Sequence, residues 1–306
     1  MPLLRRMMTD AATILFCVGA TKAGTSSLYR YLHDHPQCAV PAVKEAHYWD
    51  TFDAEQAGVQ TTAFRLRLRE LRRLREQAEA DGKGWQVNNV TRRIDDMKAL
   101  MQVIGGDRAE DQAYLSWLTG RQGGHVFADH TPNYATLPDA MLARMRDLSP
   151  QTRFIYLLRD PLDRLWSHIR MQARRQRQSH EVYEKKANNI LHRMLNRGHE
   201  THIWARGDYP ATIRKLRRVI PEDRLKIMFT ETMMGQDGLS QLAEFLGMTP
   251  ATPAETAPAH LGPAVEMLDK LRPRALKRLN EHYDWVARNV GPLPERWHEN
   301  LARMQS

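Results

Sequence analysis

A chain of 306 residues is long enough for one large α/β domain carrying an insertion, and with 42% hydrophobic and 26% charged residues it falls outside the disordered and fibrous classes. Its formal net charge of +9 favours anionic partners, among which charge alone does not choose: nucleotides, acidic glycans, nucleic acid and anionic membrane surfaces all qualify. No stretch approaches the roughly 20 apolar residues that span a bilayer, which excludes an integral membrane protein.

Along the chain, Arg5 and Arg6 followed by the apolar run Ala11 to Ala20 imitate a secretory leader, but Asp10 interrupts the pattern and no small-residue cleavage site follows. The run Thr13 to Val18 is continuously apolar and closed by Gly19, as a strand buried on both faces should be. Cys17 within it reads as a buried, reduced thiol, which points to a cytoplasmic location. After the loop Ala20 to Thr25, the segment Ser26 to His33 places Leu28, Tyr31 and Leu32 at helical spacing, and Pro36 stops it. Further strands are expected at His125 to Ala128, Phe154 to Leu158 and Leu225 to Phe229. Helices are expected at Pro138 to Asp147, Pro161 to Arg175, Tyr209 to Val219 and Leu239 to Leu246. This alternation predicts a doubly wound α/β fold, a mostly parallel sheet flanked by helices.

One region departs from the alternation. Phe64, Leu68, Leu71 and Ala78 fall on one helical face among six arginines between Arg65 and Arg75, and after Gly82 and Gly84 the residues Val90, Ile94, Met97, Met101 and Ile104 recur at spacings of four and three. The pattern predicts an antiparallel helical hairpin over about 60 to 106, inserted in a single domain that spans 1 to 306. The Pro/Ala/Thr-rich stretch Thr249 to Pro263 reads as a long loop before a final helix from Ala264 to Glu281.

Two motifs carry the chemistry. Between the first strand and its helix lies Gly19-Ala20-Thr21-Lys22-Ala23-Gly24-Thr25-Ser26-Ser27, where an ammonium, several hydroxyls and the backbone N–H groups of a helix N-terminus converge, as a phosphate requires. It is not the nucleoside-triphosphate loop G-x-x-x-x-G-K-[ST], because Lys22 precedes Gly24 by two positions instead of following it. The second motif runs from the strand Phe154 to Leu158 into Arg159-Asp160-Pro161. Pro161 suits a first helical turn, and Ser167 follows about two turns on. Arg159 is thereby delivered to the C-terminal end of a strand, where open α/β sheets bind ligands, and arginine suits bidentate phosphate recognition.

In this order, the two motifs resemble those of the sulfotransferases that use 3'-phosphoadenosine 5'-phosphosulfate (PAPS). The resemblance implies a P-loop-like fold in which Lys22, Ala23, Gly24, Thr25, Ser26 and Ser27 hold the 5'-phosphosulfate and Arg159 with Ser167 holds the 3'-phosphate. It implies PAP as product and no metal. A third segment, Lys44-Glu45-Ala46-His47-Tyr48-Trp49-Asp50, is similar to one in the heparan sulfate branch, which implies Glu45 as catalytic base assisted by His47 and Asp50. A fourth, Asp129-His130-Thr131-Pro132-Asn133-Tyr134, resembles a stretch of that branch in which a lysine stands where this chain has His130. An imidazole replaces that ammonium only if it is protonated or donates a hydrogen bond. Gly207-Asp208-Tyr209 and a strand ending at Glu231 resemble the family's later core.

The acceptor is left open among a glycan, a lipid head group and a small alcohol or amine, since loops and insertions set it. Two other readings compete: a P-loop kinase or NTPase, disfavoured by the lysine's position, and a basic RNA- or membrane-surface-binding protein resting on Arg65 to Arg75 and on Arg170, Arg174, Arg175 and Arg177. For the sulfotransferase reading no nucleic acid is expected as partner, and peripheral membrane contact stays open.

Overall fold

A computed structural model describes residues 12–253 and 265–303. Arg5, Arg6, the greater part of the Thr249 to Pro263 stretch and Ala264 lie outside the described residues. Five strands form one parallel sheet in the order β2-β3-β1-β4-β5: β1 Thr13–Gly19, β2 Cys38–Ala39, β3 Val126–His130, β4 Thr152–Leu158 and β5 Leu225–Phe229. Every residue of β1 and β3 is buried, which is why β1 reads as a nearly unbroken apolar run, while β3 closes on the buried polar pair Asp129 and His130.

From β1 the chain crosses through α1 (Thr25–Asp34) to the edge strand β2, returns to β3 beside β1, and then passes over β1 to β4 and on to β5. The connections leave β1 in opposite directions, so the crevice beyond its C-terminal end is the switch point at which such sheets take ligands. Phe16, in the middle of β1, meets Phe154 on one side and Trp49 and Tyr134 on the other, with ring centroids 5.4 to 6.4 Å apart. Among the described residues no helix is long and apolar enough to cross a membrane.

The predicted hairpin is present as α2 (Ala54–Ala80) and α3 (Gly84–Gly105). It begins six residues earlier than the apolar spacing indicates, because Asp53 caps it by accepting from Gln56 N at 2.9 Å, and its first turns bury nothing. Phe64, Leu68 and Leu71 of α2 and Val90, Ile94, Met97 and Leu100 of α3 join the same apolar core as the sheet. Leu100 takes the buried position that the heptad spacing gave to Met101, which is only partly buried. The short α4 (Gln112–Thr119) then leads to β3.

Beyond β3, α5 (Asp139–Arg146), α6 (Pro161–Gln176), α9 (Tyr209–Val219) and α11 (Gln236–Leu246) stand close to their expected places. Unexpected from sequence are α7 (Tyr183–Arg197) and α8 (Thr201–Ala205) before α9, and α10 (Thr230–Met233) just after β5. β5 therefore stops at Phe229, and Glu231 belongs to a single helical turn instead of ending the strand. The last long helix, α12 (Arg272–Asn289), starts eight residues later than expected, after a 3-10 turn at Asp269–Leu271. Pro273 fixes that start, since proline fits the first turn of a helix and not its interior. A further helix, α13 (Glu295–Ala302), packs against α12.

Candidate active site

The loop leaving β1 is built for close approach. Gly24 takes φ 81° at the N-cap of α1, and a Cβ there would sit 2.5 Å from Thr230 Cγ2, so glycine is required on both counts. Thr230 Oγ1 donates to Ala23 O at 2.6 Å, which ties the loop to the end of β5. The N–H groups of Thr25 and Ser26 open the helix and have no intrahelical acceptor to reach. Lys22 itself has φ 72°, a left-handed conformation that costs a non-glycine residue about 1 to 3 kcal/mol. Burial pushes its pKa down first, and the charges of Arg159, Lys44 and Arg174 add to the effect.

Arg159 follows directly on β4, and its Nη1 donates to Lys22 O at 3.4 Å, so the two motifs meet. Tyr209 fixes the arginine's backbone: its hydroxyl donates to Arg159 O at 2.7 Å and accepts from Arg159 N at 3.1 Å. Asp160 caps α6 by accepting from Asp163 N at 2.8 Å, and it also accepts from Tyr283 at 2.8 Å and Asn300 at 2.9 Å. The backbone N–H of Asp160 donates to Glu231 Oε1, which accepts from Trp297 as well. The C-terminal helices thus brace the strand end that presents Arg159. Ser167 lies half-buried on α6, one face of which carries Arg164 and His168 into the interior.

The third segment folds over the first. Glu45 N donates to His130 O at 3.2 Å and His47 N to Thr131 Oγ1 at 3.4 Å, which hangs the segment from the end of β3. Glu45 and His47 both have left-handed backbones, with φ 63° and 50°. The side chains form a row: His47 Nδ1 lies 2.5 Å from Asp50 Oδ2, and His47 Nε2 lies 3.8 Å from Glu45 Oε2. Asn133 donates to the other oxygen of Asp50 at 2.8 Å. Burial opposes the charge on His47, but Asp50 and Glu45 overrule it and raise the pKa to about 9. Burial likewise works to raise the pKa of Glu45, and His47, Lys44 and Arg67 overrule it to bring it to about 2. At neutral pH Glu45 is a carboxylate and His47 an imidazolium.

His130 stands apart from this row. Its imidazole is buried, neither ring nitrogen has a hydrogen-bond partner, and burial lowers its pKa to about 3. It packs edge-on against Tyr29, so what reaches the site from this residue is its carbonyl, the anchor of Glu45.

Several contributors were not evident from the sequence. Lys44 Nζ donates to Ser26 Oγ at 2.7 Å and Thr25 Oγ1 at 3.4 Å, and lies 3.7 Å from Glu45 Oε1. From the hairpin, Arg67 Nη1 donates to Lys44 O at 2.9 Å, and Asp96 accepts from Ala42 N at 2.6 Å while pairing with Arg121 at 2.8 Å. The basic run on α6 divides, with Arg174 in electrostatic reach of Lys22 and Arg175 in reach of Arg206. Lys44 carried a signal, being part of a recognisable segment. Arg67 was one arginine among six, with nothing to single it out.

The sequence model of the sulfotransferase family matches residues 15–250, from β1 past the end of α11. The chain belongs to the sulfotransferase family. The crystal structure of a sulfotransferase from Alicyclobacillus acidocaldarius shares the fold of this sulfotransferase, with TM-score 0.56 and 21% identity over 94% of this chain and 99% of that one. Two sulfotransferase domains are more distant. That of the curacin biosynthetic pathway has TM-score 0.44 and 16% identity, covering 96% of this chain and 98% of the domain. That of the Synechococcus PCC 7002 olefin synthase has TM-score 0.40 and 16% identity, covering 92% and 95%. No curated protein matches the chain in sequence.

Proposed function

We propose that this sulfotransferase takes the sulfuryl group from PAPS and passes it to a hydroxyl or amine of a glycan, lipid head group or small-molecule acceptor, with Glu45 as general base. The observation that carries the reading is the meeting of Lys22, Lys44 and Arg159 around a helix N-terminus, with the ionised carboxylate of Glu45 beside them. Such an excess of cations suits a ligand with several negative charges. Lys22, the N–H groups of Gly24, Thr25 and Ser26 and the hydroxyls of Thr25, Ser26 and Ser27 would take the 5'-phosphosulfate, with Ala23 N and Ser27 N shaping the loop by donating to Ala20 O and Gly24 O, and Arg159 with Ser167 would take the 3'-phosphate.

In the reaction the acceptor oxygen attacks sulfur, its proton passes to Glu45, and the S–O bond to the 5'-phosphate breaks with its electron pair left on PAP. Lys22 neutralises the charge that grows on the leaving oxygen, an effect that acts mainly in the transition state. A carboxylate with a pKa near 2 is a weak base. Binding the donor corrects this, because anionic oxygens compete with Glu45 for the Lys44 ammonium and an adjacent negative charge raises a carboxylate's pKa. His47, charged and held by Asp50, keeps the Glu45 carboxylate oriented. The segment Lys44 to Asp50 supports a tie to the heparan sulfate-like branch, and the two buried thiols support a cytoplasmic location.

The reading is tested by thermal unfolding with PAP in the absence of magnesium, followed by a screen of cell extracts with radiolabelled PAPS. A ligand at 100 times its Kd stabilises by about 2.7 kcal/mol, which is a measurable rise in melting temperature. A rise with magnesium-ATP and none with PAP would overturn the reading in favour of phosphoryl transfer.

A further inference from the structure

We propose that Lys44 is a second catalytic lysine of this enzyme, which binds the bridging side of the phosphosulfate opposite Lys22 and is set in place by the helical hairpin. The inference rests on the donor reading given above and goes beyond it in assigning a residue, and a function for the α2–α3 hairpin.

The Lys44 ammonium sits on the hydroxyls of Ser26 and Thr25, the two residues whose N–H groups open α1. A helix N-terminus carries partial positive charge, so a cation there is disfavoured unless an anion lies between them. Lys22 adds a second ammonium close enough for each to oppose the other's charge. An ammonium has three protons to donate, and Lys44 spends two on neutral hydroxyls, while Glu45 Oε1 at 3.7 Å is beyond hydrogen-bond length. A bound phosphosulfate supplies what is missing: negative charge between two cations and the helix end.

Lys44 is not on a free loop, because the hairpin holds the backbone on both sides of its Cα: Arg67 of α2 donates to Lys44 O, and Asp96 of α3 accepts from Ala42 N. Asp96 is itself fixed by Arg121. A backbone held by two helices that are part of the core fixes where the Lys44 side chain starts and so limits the volume its ammonium can reach.

As the acceptor O–H gives its proton to Glu45 and the S–O bond breaks, the electron pair goes to the oxygen of the 5'-phosphate, where Lys22 and Lys44 share the charge. Nothing else is consumed. When Lys44 turns to the donor it leaves Glu45, whose carboxylate then gains basicity, so donor binding arms the base.

The test compares full-length wild type with Lys44→Met and Lys44→Arg, using calorimetry with PAP and label transfer from radiolabelled PAPS to an extract fraction that the wild type labels. Lys44→Met should keep its melting temperature within a few degrees and weaken PAP binding by less than about tenfold, while kcat falls by about 10² or more. Lys44→Arg should recover part of kcat, and ethylammonium should restore turnover of Lys44→Met in a saturable way. A purely structural lysine would respond to neither. Turnover of Lys44→Met within threefold of wild type, or a loss that neither arginine nor ethylammonium repairs, overturns the proposal. Should Lys44→Met not fold, amine acylation of the wild type decides: PAP should protect Lys44 together with Lys22, and an unprotected Lys44 overturns it. Absence of PAP binding to the wild type would instead overturn the donor reading itself.

Discussion

Glu45 and Asp160 stand on either side of the Lys22 loop, and the fold treats the two carboxylates in opposite ways. Glu45 sits half-exposed among Lys44, His47 and Arg67, and its pKa falls to about 2. Asp160 is fully buried and receives only neutral donors, from Asp163 N, Tyr283 and Asn300, and burial followed by the charge of Asp163 raises its pKa to about 7. One carboxylate is surrounded by charge and carries a left-handed backbone, while the other is the satisfied N-cap of a helix. In the proposed reaction the difference separates a group that takes a proton from one that holds a strand end still. Cations beside a crevice favour the ionised form of the first, and burial among neutral partners favours the protonated form of the second.

The comparison breaks most visibly at Glu45. Glu45→Gln keeps the size and one acceptor oxygen but cannot take a proton, so turnover on the true acceptor should fall by about 10² or more with PAP affinity kept. Kinetics with labelled PAPS and calorimetry with PAP read the two halves. Near-normal turnover would transfer the base's role to His47, whose ring would then have to act with its proton removed despite a pKa near 9.

The next effect concerns the braced side. Asp160 and its partners exist to present Arg159, so Arg159→Ala should weaken PAP binding by roughly 10- to 150-fold, the equivalent of one charge-assisted contact of about 1.5 to 3 kcal/mol. Lys22→Ala should lose a similar factor, and Ser167→Ala less than tenfold, because a neutral hydroxyl is worth about 1 kcal/mol. Calorimetry showing wild-type affinity in Arg159→Ala would remove the arginine from the site and leave its bracing without a purpose.

The sequence made the frame legible wherever one interaction dominated. β1 and most of β4 are buried on both faces and read as largely apolar runs, and Gly24 and Pro161 each mark a turn that other residues resist. β2 has two residues and no pattern to read. The row of Glu45, His47 and Asp50 was visible through its segment, but the charge states were not, since they depend on Lys44, Arg67 and burial brought from elsewhere in the chain. His130 shows the same limit: the residue type suggested a charged partner for the donor, and the depth of its burial could not be read from its neighbours in sequence. The hairpin's purpose was hidden for a related reason, as Arg67 and Asp96 act on backbone atoms more than twenty residues away.

The smallest expected effect is the most direct check on Asp160. Its folded pKa of about 7 lies above the usual carboxylate value of 3.8, so the folded state holds a proton that the unfolded chain has already released between those values. The stability tied to that proton is therefore complete below about pH 4 and is lost as pH rises through 7. In Asp160→Asn the side-chain oxygen still accepts from Asp163 N and Asn300, the new amide can donate to the Tyr283 hydroxyl, and no ionisation remains. Titration of Glu45, His47 and the other groups is common to both proteins and cancels in the difference. The melting temperature of Asp160→Asn relative to wild type should accordingly rise by about a few degrees between pH 5 and pH 8. A difference that is flat over this range, or that falls, would show that Asp160 is ionised throughout and that its neutral surroundings are not what sets it apart from Glu45.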